Sequence, residues 1–175
     1  MSEQPDWMEN DELARRETEK GWKWQRFVAN FFEAQGFPVD LPPYTWRKSV
    51  EDIKDYSDSR DMTVAGQRIE VKSRNLLFNS IAMTFPYKRA FVDTVRSYDH
   101  YKVKPIAYIF VSQLTGAMLA TVGKEVASYT WKVEEKYDAV RQITDKFYTV
   151  DRRQLTTVIP LVRRLREIQE GLSPS

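Results

Sequence analysis

Residues Asp61–Arg74 read Asp-Met-Thr-Val-Ala-Gly-Gln-Arg-Ile-Glu-Val-Lys-Ser-Arg, which is the pattern of a β-hairpin. The short apolar run Met62–Ala65 is followed by the tight-turn signal Gly66-Gln67. After the turn, polar and apolar residues alternate, as they do in a strand with one buried face. We therefore predict two paired strands here.

The charged residues of this hairpin are predicted to converge. Because successive side chains of a strand point to opposite faces, Glu70 and Lys72 should project together while Val71, between them, faces the core. Asp61 begins the first strand and should lie opposite the Glu70–Lys72 end of the second. Two carboxylates and one ammonium group therefore meet.

A divalent metal ion bound between the two carboxylates would offset their mutual repulsion. Hard oxygen ligands from Asp61 and Glu70, completed by water and a substrate phosphate, suit Mg²⁺, with Mn²⁺ as an alternative. The Val71 carbonyl group is a candidate third ligand, and Lys72 would orient or deprotonate an attacking water. The simpler interpretation is a surface hairpin in which Glu70 and Lys72 form a solvated ion pair.

The signature of Asp61, eight intervening residues and then Glu70-Val71-Lys72 resembles that of the PD-(D/E)XK nuclease superfamily. The resemblance covers residues 21 to about 122 and departs at Arg60, where the family usually has proline. It implies an α/β fold with a restriction-endonuclease-like core, a central mixed β-sheet flanked by helices. It also implies a Mg²⁺-dependent endonuclease that hydrolyses DNA phosphodiester bonds, with the acids as metal ligands and Lys72 serving the nucleophile.

A helix is predicted before the hairpin, over residues 20–35. Large apolar residues repeat there at the spacing of an amphipathic helix, at Trp24, Phe27, Val28, Phe31 and Phe32. Gly36 is a good residue to end it. In the family, a helix of this kind often places a glutamate near the metal, and the resemblance carries that catalytic position to Gln25. Glu19 is the nearest acidic alternative, and Gln25 as an ordinary flanking residue is equally open.

The residues after the hairpin are predicted to complete the core. A second helix reaching about Tyr101 is indicated by apolar residues at helical spacing, Phe91, Val92, Val95 and Tyr98. The apolar run Pro105–Val111 predicts a strand buried on both faces, and Ala117–Val122 predicts its partner. Gln113, at the exit of the buried strand, is a further candidate for contact with the scissile region.

Basic residues supply candidate contacts to nucleic acid. Arg74 ends the hairpin, and Lys88, Arg89 and Arg96 fall on the polar side of the predicted second helix. Such side chains contact phosphates, and neighbouring tyrosines can stack on bases. A helix with ordinary solvated basic residues is an equally open interpretation.

Composition excludes several kinds of site. The chain has 175 residues, no cysteine and one histidine, so cysteine-based zinc sites, cysteine nucleophiles, disulfides and histidine-rich metal cages lack their residues. Residues 1–19 hold seven acids and two arginines in a chain of net charge +2, so an acidic leader precedes a basic body. Neither a secretory signal nor a membrane-spanning run is visible, and an intracellular, cytoplasmic location with no membrane partner is expected.

The predicted organisation is an acidic leader over residues 1–19, a nuclease-like domain over 20–150, and a basic helix over 151–175 packed on the domain. Asp151 is the predicted cap of that last helix. The predicted partner is DNA, and cutting both strands with one site per chain would favour a homodimer.

Two other functions stay open. One is a catalytically inactive protein of the same fold, acting as a DNA-binding or protein-interaction module, in which Asp61, Glu70 and Lys72 form a structural ion-pair network. The other is an interaction protein whose basic C-terminal helix is the working surface. Glutamine at position 25 favours the inactive module, whereas the intact Asp61, Glu70 and Lys72 favour the enzyme more.

Overall fold

The computed structural model describes residues 6–44, 62–139 and 142–171, with side chains from residue 12 onward. The helices and strands of these residues are α1 (Asp6–Ala34), β1 (Val39–Asp40), β2 (Met62–Val64), β3 (Gln67–Arg74), β4 (Arg89–Thr94), α2 (Val95–His100), β5 (Ala107–Ser112), β6 (Met118–Val122), α3 (Lys124–Ala127), β7 (Trp131–Asp138), β8 (Ile143–Asp151) and α4 (Ile159–Gln169). None of the helices in these ranges has the length and apolar character needed to cross a bilayer.

The strands form two sheets. The larger one has the order β1-β2-β3-β5-β6, in which β3 and β5 are parallel and the other neighbours are antiparallel. The smaller one is antiparallel, with the order β4-β8-β7. The architecture is therefore α/β with a central mixed sheet, as predicted, whereas the second sheet was not predicted.

The hairpin forms as predicted, but its turn lies one residue earlier. Met62 pairs with Ile69 and Val64 pairs with Gln67, so Gln67 is already the first residue of β3. The turn consists of Ala65 and Gly66, with φ of 49° and 76°. Positive φ at both central residues is what a two-residue hairpin turn requires, because it matches the twist of the strands.

Two apolar cores cover the two faces of the central sheet. On one face, Ile69 and Val71 of β3 pack against α1 and α4 through buried residues of both helices, Val28, Phe32, Leu161 and Leu165. On the other face, residues of β5 pack against the smaller sheet through Tyr108, Phe110, Val92, Tyr148 and Val150. The central sheet therefore lies between a helical layer and a second sheet, and all six residues of β5 are buried, as predicted.

The end of α1 confirms the predicted stop signal. Gly36 has a φ of 88°, and the Phe37 N–H donates to the Phe32 carbonyl group, which is the bond that closes a helix at a left-handed residue. The Phe32 and Phe37 rings then pack edge to face with centroids 6.1 Å apart. At its other end α1 starts at Asp6, so the described part of the acidic leader belongs to this helix.

The second helix was predicted too long. Residues 89–94 form β4 instead, and only Val95–His100 is helical. Pairing of Ala90 with Val150 on β8 accounts for the strand, because it satisfies the backbone and buries alternate side chains. The helix then begins where the Thr94 hydroxyl accepts the Ser97 N–H.

The C-terminal helix also starts later than predicted. Asp151 accepts the N–H of Arg153, but the turn that it caps is a short 3-10 turn, Arg152–Gln154. The helix α4 begins eight residues beyond Asp151, at Ile159, with Pro160 in its first turn. Its buried residues Leu161 and Leu165 lie in the core on the helical face of the central sheet.

Candidate active site

Alternation along β3 places its charged residues on the side of the smaller sheet. Ile69 and Val71 are buried in the helical core, whereas Glu70 and Lys72 point the other way with side chains 16% and 20% exposed. This is the separation of faces that the sequence predicts. The charged pair is therefore half-buried between two sheets, and is not a fully solvated surface pair.

Lys72 lies between two carboxylates that come from different sheets. Its Nζ atom is 3.3 Å from Glu70 Oε1 and 3.7 Å from Asp93 Oδ1. Arg68 adds a second cation to Glu70, with 3.5 Å between Nη2 and Oε2. We name Arg68, Glu70, Lys72 and Asp93 the charged cluster. It links β3 of the central sheet to β4 of the smaller sheet.

Asp93 is the most enclosed acid of the charged cluster, with a side chain 6% exposed. The hydroxyl groups of Tyr101 and Tyr108 donate to its Oδ2 atom at 2.8 and 3.3 Å. The backbone N–H of Thr94 donates to Oδ1 at 2.9 Å. Together with Lys72, these donors satisfy both oxygens and fix the carboxylate in one orientation.

A β-bulge directs Asp93 into the cluster. Phe91 pairs with Thr149 and Asp93 pairs with the adjacent Tyr148, so Val92 is an extra residue in β4. Strict alternation would turn either Val92 or Asp93 outward, yet both are buried. Sequence reasoning missed Asp93 because the region was assigned to a helix, and no residue pattern marks a bulge.

The two tyrosines of the site are held in their protonated form. Burial raises the pKa of Tyr101 above its ordinary value, and the negative charges of Glu70 and Asp93 raise it further. Burial raises the pKa of Tyr108 as well, again with Asp93 and Glu70 adding to the shift. Both hydroxyl groups therefore act as hydrogen-bond donors to Asp93.

Arg68 is held in place by three kinds of contact. Its guanidinium carbon lies 4.0 Å from the centroid of the Tyr101 ring, within the range of a cation–π interaction. Its Nη1 atom donates to the Val103 carbonyl group at 2.8 Å. Because the third contact is Glu70, Arg68 fixes the position of the Glu70 carboxylate.

The other predicted site residues are placed as follows. Asp61 lies outside the described residues. Gln25 is half-buried on α1, which packs on the helical face of the sheet, away from the face to which Glu70 projects. The Val71 side chain is in the core, as predicted, and its backbone lies between the two charged residues. The Gln113 amide donates to Ser73 Oγ at 3.1 Å.

The predicted nucleic-acid contacts divide into two groups. Arg74 donates to the Phe91 carbonyl group at 3.3 Å, and burial lowers its pKa from the ordinary value. Arg89 donates to both the hydroxyl and the carbonyl oxygen of Thr149, at 2.8 and 2.9 Å. These two arginines therefore tie strands together. Lys88 and Arg96 are exposed, on the β3–β4 connection and on α2.

The donor atoms of the cluster suit a hard cation, but the described residues do not complete a site. Carboxylate and carbonyl oxygens are the ligands that Mg²⁺ prefers, and Glu70 and Val71 supply them side by side. Among the residues that the structure describes, no group of three histidine, cysteine or acidic residues could hold a metal ion. The predicted metal site therefore depends on Asp61.

Comparison of the chain with protein-family models, with curated proteins and with solved structures gave no significant match.

Proposed function

We propose that this protein is a Mg²⁺-dependent deoxyribonuclease of the PD-(D/E)XK type, with a restriction-endonuclease-like core, that cuts DNA as an endonuclease. The observation that supports the proposal is the pair of Glu70 and Lys72. The two residues project together from the second strand of a hairpin, half-buried and 3.3 Å apart. An ordinary surface ion pair is exposed to solvent, whereas the side chains of this pair are largely shielded from it.

Glu70, the Val71 carbonyl group and the predicted ligand Asp61 would hold Mg²⁺, or Mn²⁺ in its place. When bound, the metal ion would supply charge stabilisation at the phosphate and a stronger water nucleophile at neutral pH. The Lys72 ammonium group orients the attacking water and offsets negative charge on the phosphate in the transition state. The single histidine, His100, is exposed on α2, with Nδ1 2.7 Å from the Arg96 carbonyl oxygen, so it takes no part in the cluster.

Asp93 acts on Lys72 as a positioning residue. With Glu70 on one side and Asp93 on the other, the lysine Nζ atom is restrained from two directions. A long side chain loses conformational entropy when it is fixed in its working geometry. Because Lys72 is already restrained, less entropy is lost when the substrate binds. The catalytic group is therefore pre-oriented, which is a requirement for efficient proton transfer or charge stabilisation.

One observation favours the rival function, a catalytically inactive module that binds DNA or protein. The charged cluster contains two cations, Arg68 and Lys72, and two carboxylates, Glu70 and Asp93. These charges balance without a metal ion, and such a network can serve to join the two sheets. The rival predicts that the network is needed for the fold and that the protein cuts nothing.

The test of the proposed function is cleavage of labelled linear, circular, single-stranded and branched DNA by purified protein in Mg²⁺, Mn²⁺ and EDTA. We expect cutting in either metal and none in EDTA. Cutting of circular substrates would identify an endonuclease, and simultaneous cutting of both strands would favour a homodimer with one site per chain. If folded protein cuts none of the substrates in either metal, the nuclease function is wrong and the binding module takes its place.

A further inference from the structure

The connection between β3 and β4 presents large apolar side chains to solvent. Four of them are more than half exposed, Leu77 at 68%, Ile81 at 61%, Met83 at 56% and Tyr87 at 58%. We name these four residues the apolar loop. Single exposed apolar residues are normal on a protein surface, but four on one connection make it a candidate binding surface.

The connection that carries the apolar loop is anchored to the rest of the fold by buried rings and hydrogen bonds. Phe78 and Phe85 from the same connection are buried, with ring centroids 5.4 Å apart, and they anchor it to the second core. The Thr115 hydroxyl donates to the Phe78 carbonyl group at 2.8 Å, and the Ser112 hydroxyl donates to the Leu76 carbonyl group at 2.7 Å. The exposed side chains are therefore presented by an ordered backbone.

A basic groove lies beside the apolar loop. Its volume is about 320 Å³, and its lining residues are Met83, Lys88, Asp151, Arg152 and Arg153. Three cations thus face one carboxylate, and that carboxylate accepts two hydrogen bonds of 3.0 Å from Arg153. Arg152 links the groove to the connection that carries the apolar loop, because it donates to the Phe85 carbonyl group at 3.2 Å. The groove carries a net positive charge next to exposed apolar and aromatic surface.

We propose that the apolar loop and the basic groove together bind DNA at a point where its bases are unpaired. Phosphates would lie against Lys88, Arg152 and Arg153, and base faces would stack on Tyr87. In an intact duplex the base faces are covered by their neighbours, so the apolar loop has a partner only in single-stranded or branched DNA. This inference rests on the proposed function, and it names the class of substrate for that site.

The position of this surface along the chain fits a shared substrate. The connection starts directly after Arg74, the last residue of β3, and ends at Arg89, the first residue of β4. These are the two strands that carry Glu70, Lys72 and Asp93. Glu70 is four residues from the end of β3, which at about 3.3 Å per residue is roughly 13 Å. The connection therefore joins the two strands that carry the charged cluster, and we expect a DNA strand bound on the loop to continue to that cluster.

The test measures binding without cleavage, by fluorescence anisotropy in EDTA with single-stranded, forked and duplex oligonucleotides of one length. We expect the single-stranded and forked forms to bind about 10-fold more tightly than the duplex, and Tyr87→Ala to weaken their binding about 5-fold or more. Lys88→Gln should weaken binding to all forms and reduce the salt dependence by about one counterion. The matched controls, Tyr129→Ala and Lys132→Gln, change an exposed aromatic and an exposed basic residue elsewhere and should bind as the wild type does.

Equal affinity for duplex and single-stranded DNA, or unchanged binding by both Tyr87→Ala and Lys88→Gln, would overturn this inference. Binding to vesicles of anionic lipid, with no binding to DNA and the same dependence on Tyr87 and Lys88, would also overturn it and would identify a membrane surface. Because the assay contains no metal, its result is independent of activity. Binding that depends on the loop, in a protein that cuts nothing, would refute the nuclease and leave the DNA surface in place.

Discussion

Replacing Glu70 by glutamine, or Lys72 by methionine, is expected to lower the rate of DNA cleavage in Mg²⁺ by roughly 10²–10⁴-fold while the protein stays folded. Glutamine keeps the shape of Glu70 but removes the charge that would hold the metal ion. Methionine keeps the length of Lys72 but removes the ammonium group that serves the water and the phosphate. Initial rates on the preferred DNA substrate, with circular dichroism as the check on folding, measure both effects.

Two controls separate these effects from a general change of charge. Glu167→Gln changes an exposed carboxylate on α4, and Lys132→Met changes an exposed lysine on β7. Both variants should cut DNA at the wild-type rate. If Glu70→Gln and Lys72→Met are folded and also cut at the wild-type rate, the nuclease site lies elsewhere in the chain.

Replacing Asp93 by asparagine is expected to lower the free energy of unfolding by about 2–3 kcal/mol. The change removes the charge that faces Lys72 and puts a donor group among the donors of Tyr101, Tyr108 and Thr94. The expected loss is below that for a fully buried pair because Lys72 is 20% exposed. Urea denaturation measures it as a shift of the midpoint at an unchanged m-value.

The matched control is Asp40→Asn, which changes an exposed carboxylate on β1 and should alter stability by less than about 0.5 kcal/mol. A double-mutant cycle of Asp93→Asn with Lys72→Met then isolates the pair, with an expected coupling of about 1–3 kcal/mol. A stability of Asp93→Asn equal to that of the wild type would show that the contact between Asp93 and Lys72 does not stabilise the fold.

Local pattern explains what could be predicted of the fold and the site. Alternation in Asp61–Arg74 is sufficient to place Glu70 and Lys72 on one face and Val71 on the other. The apolar run Pro105–Val111 is sufficient to predict a strand buried on both faces. Gly36 is sufficient to predict where α1 ends. In each case, the residues that determine the structure are neighbours in the sequence.

The missed features depend on contacts between distant residues. The spacing of Phe91, Val92 and Val95 is that of a helix, but pairing of residues 89–94 with β8, 60 residues away between Arg89 and Thr149, makes that segment a strand. The bulge that brings Asp93 to Lys72 arises from the same pairing. The strand β7 was missed because after Trp131 only Val133 and Tyr137 are apolar and the other five residues are charged, so the alternation is weak.

The apolar loop illustrates the same limit for binding surfaces. Leu77, Ile81, Met83 and Tyr87 have the composition of core residues, and two other residues of the connection, Phe78 and Phe85, are in fact buried. The backbone between them is held by distant residues, because Ser112 at the end of β5 and Thr115 in the following turn donate to the Leu76 and Phe78 carbonyl groups. Composition alone cannot make that distinction.

The measurement that tests the central claim most directly is calorimetric titration of Mn²⁺ into the wild-type protein and into Glu70→Gln, with no DNA present. If the charged cluster is a metal-dependent hydrolytic site, the wild type binds Mn²⁺ and Glu70→Gln loses that binding, while Glu167→Gln retains it. If the folded wild type binds no Mn²⁺, or if Glu70→Gln binds it equally well, Glu70 is no metal ligand and the cluster is a structural link between the two sheets.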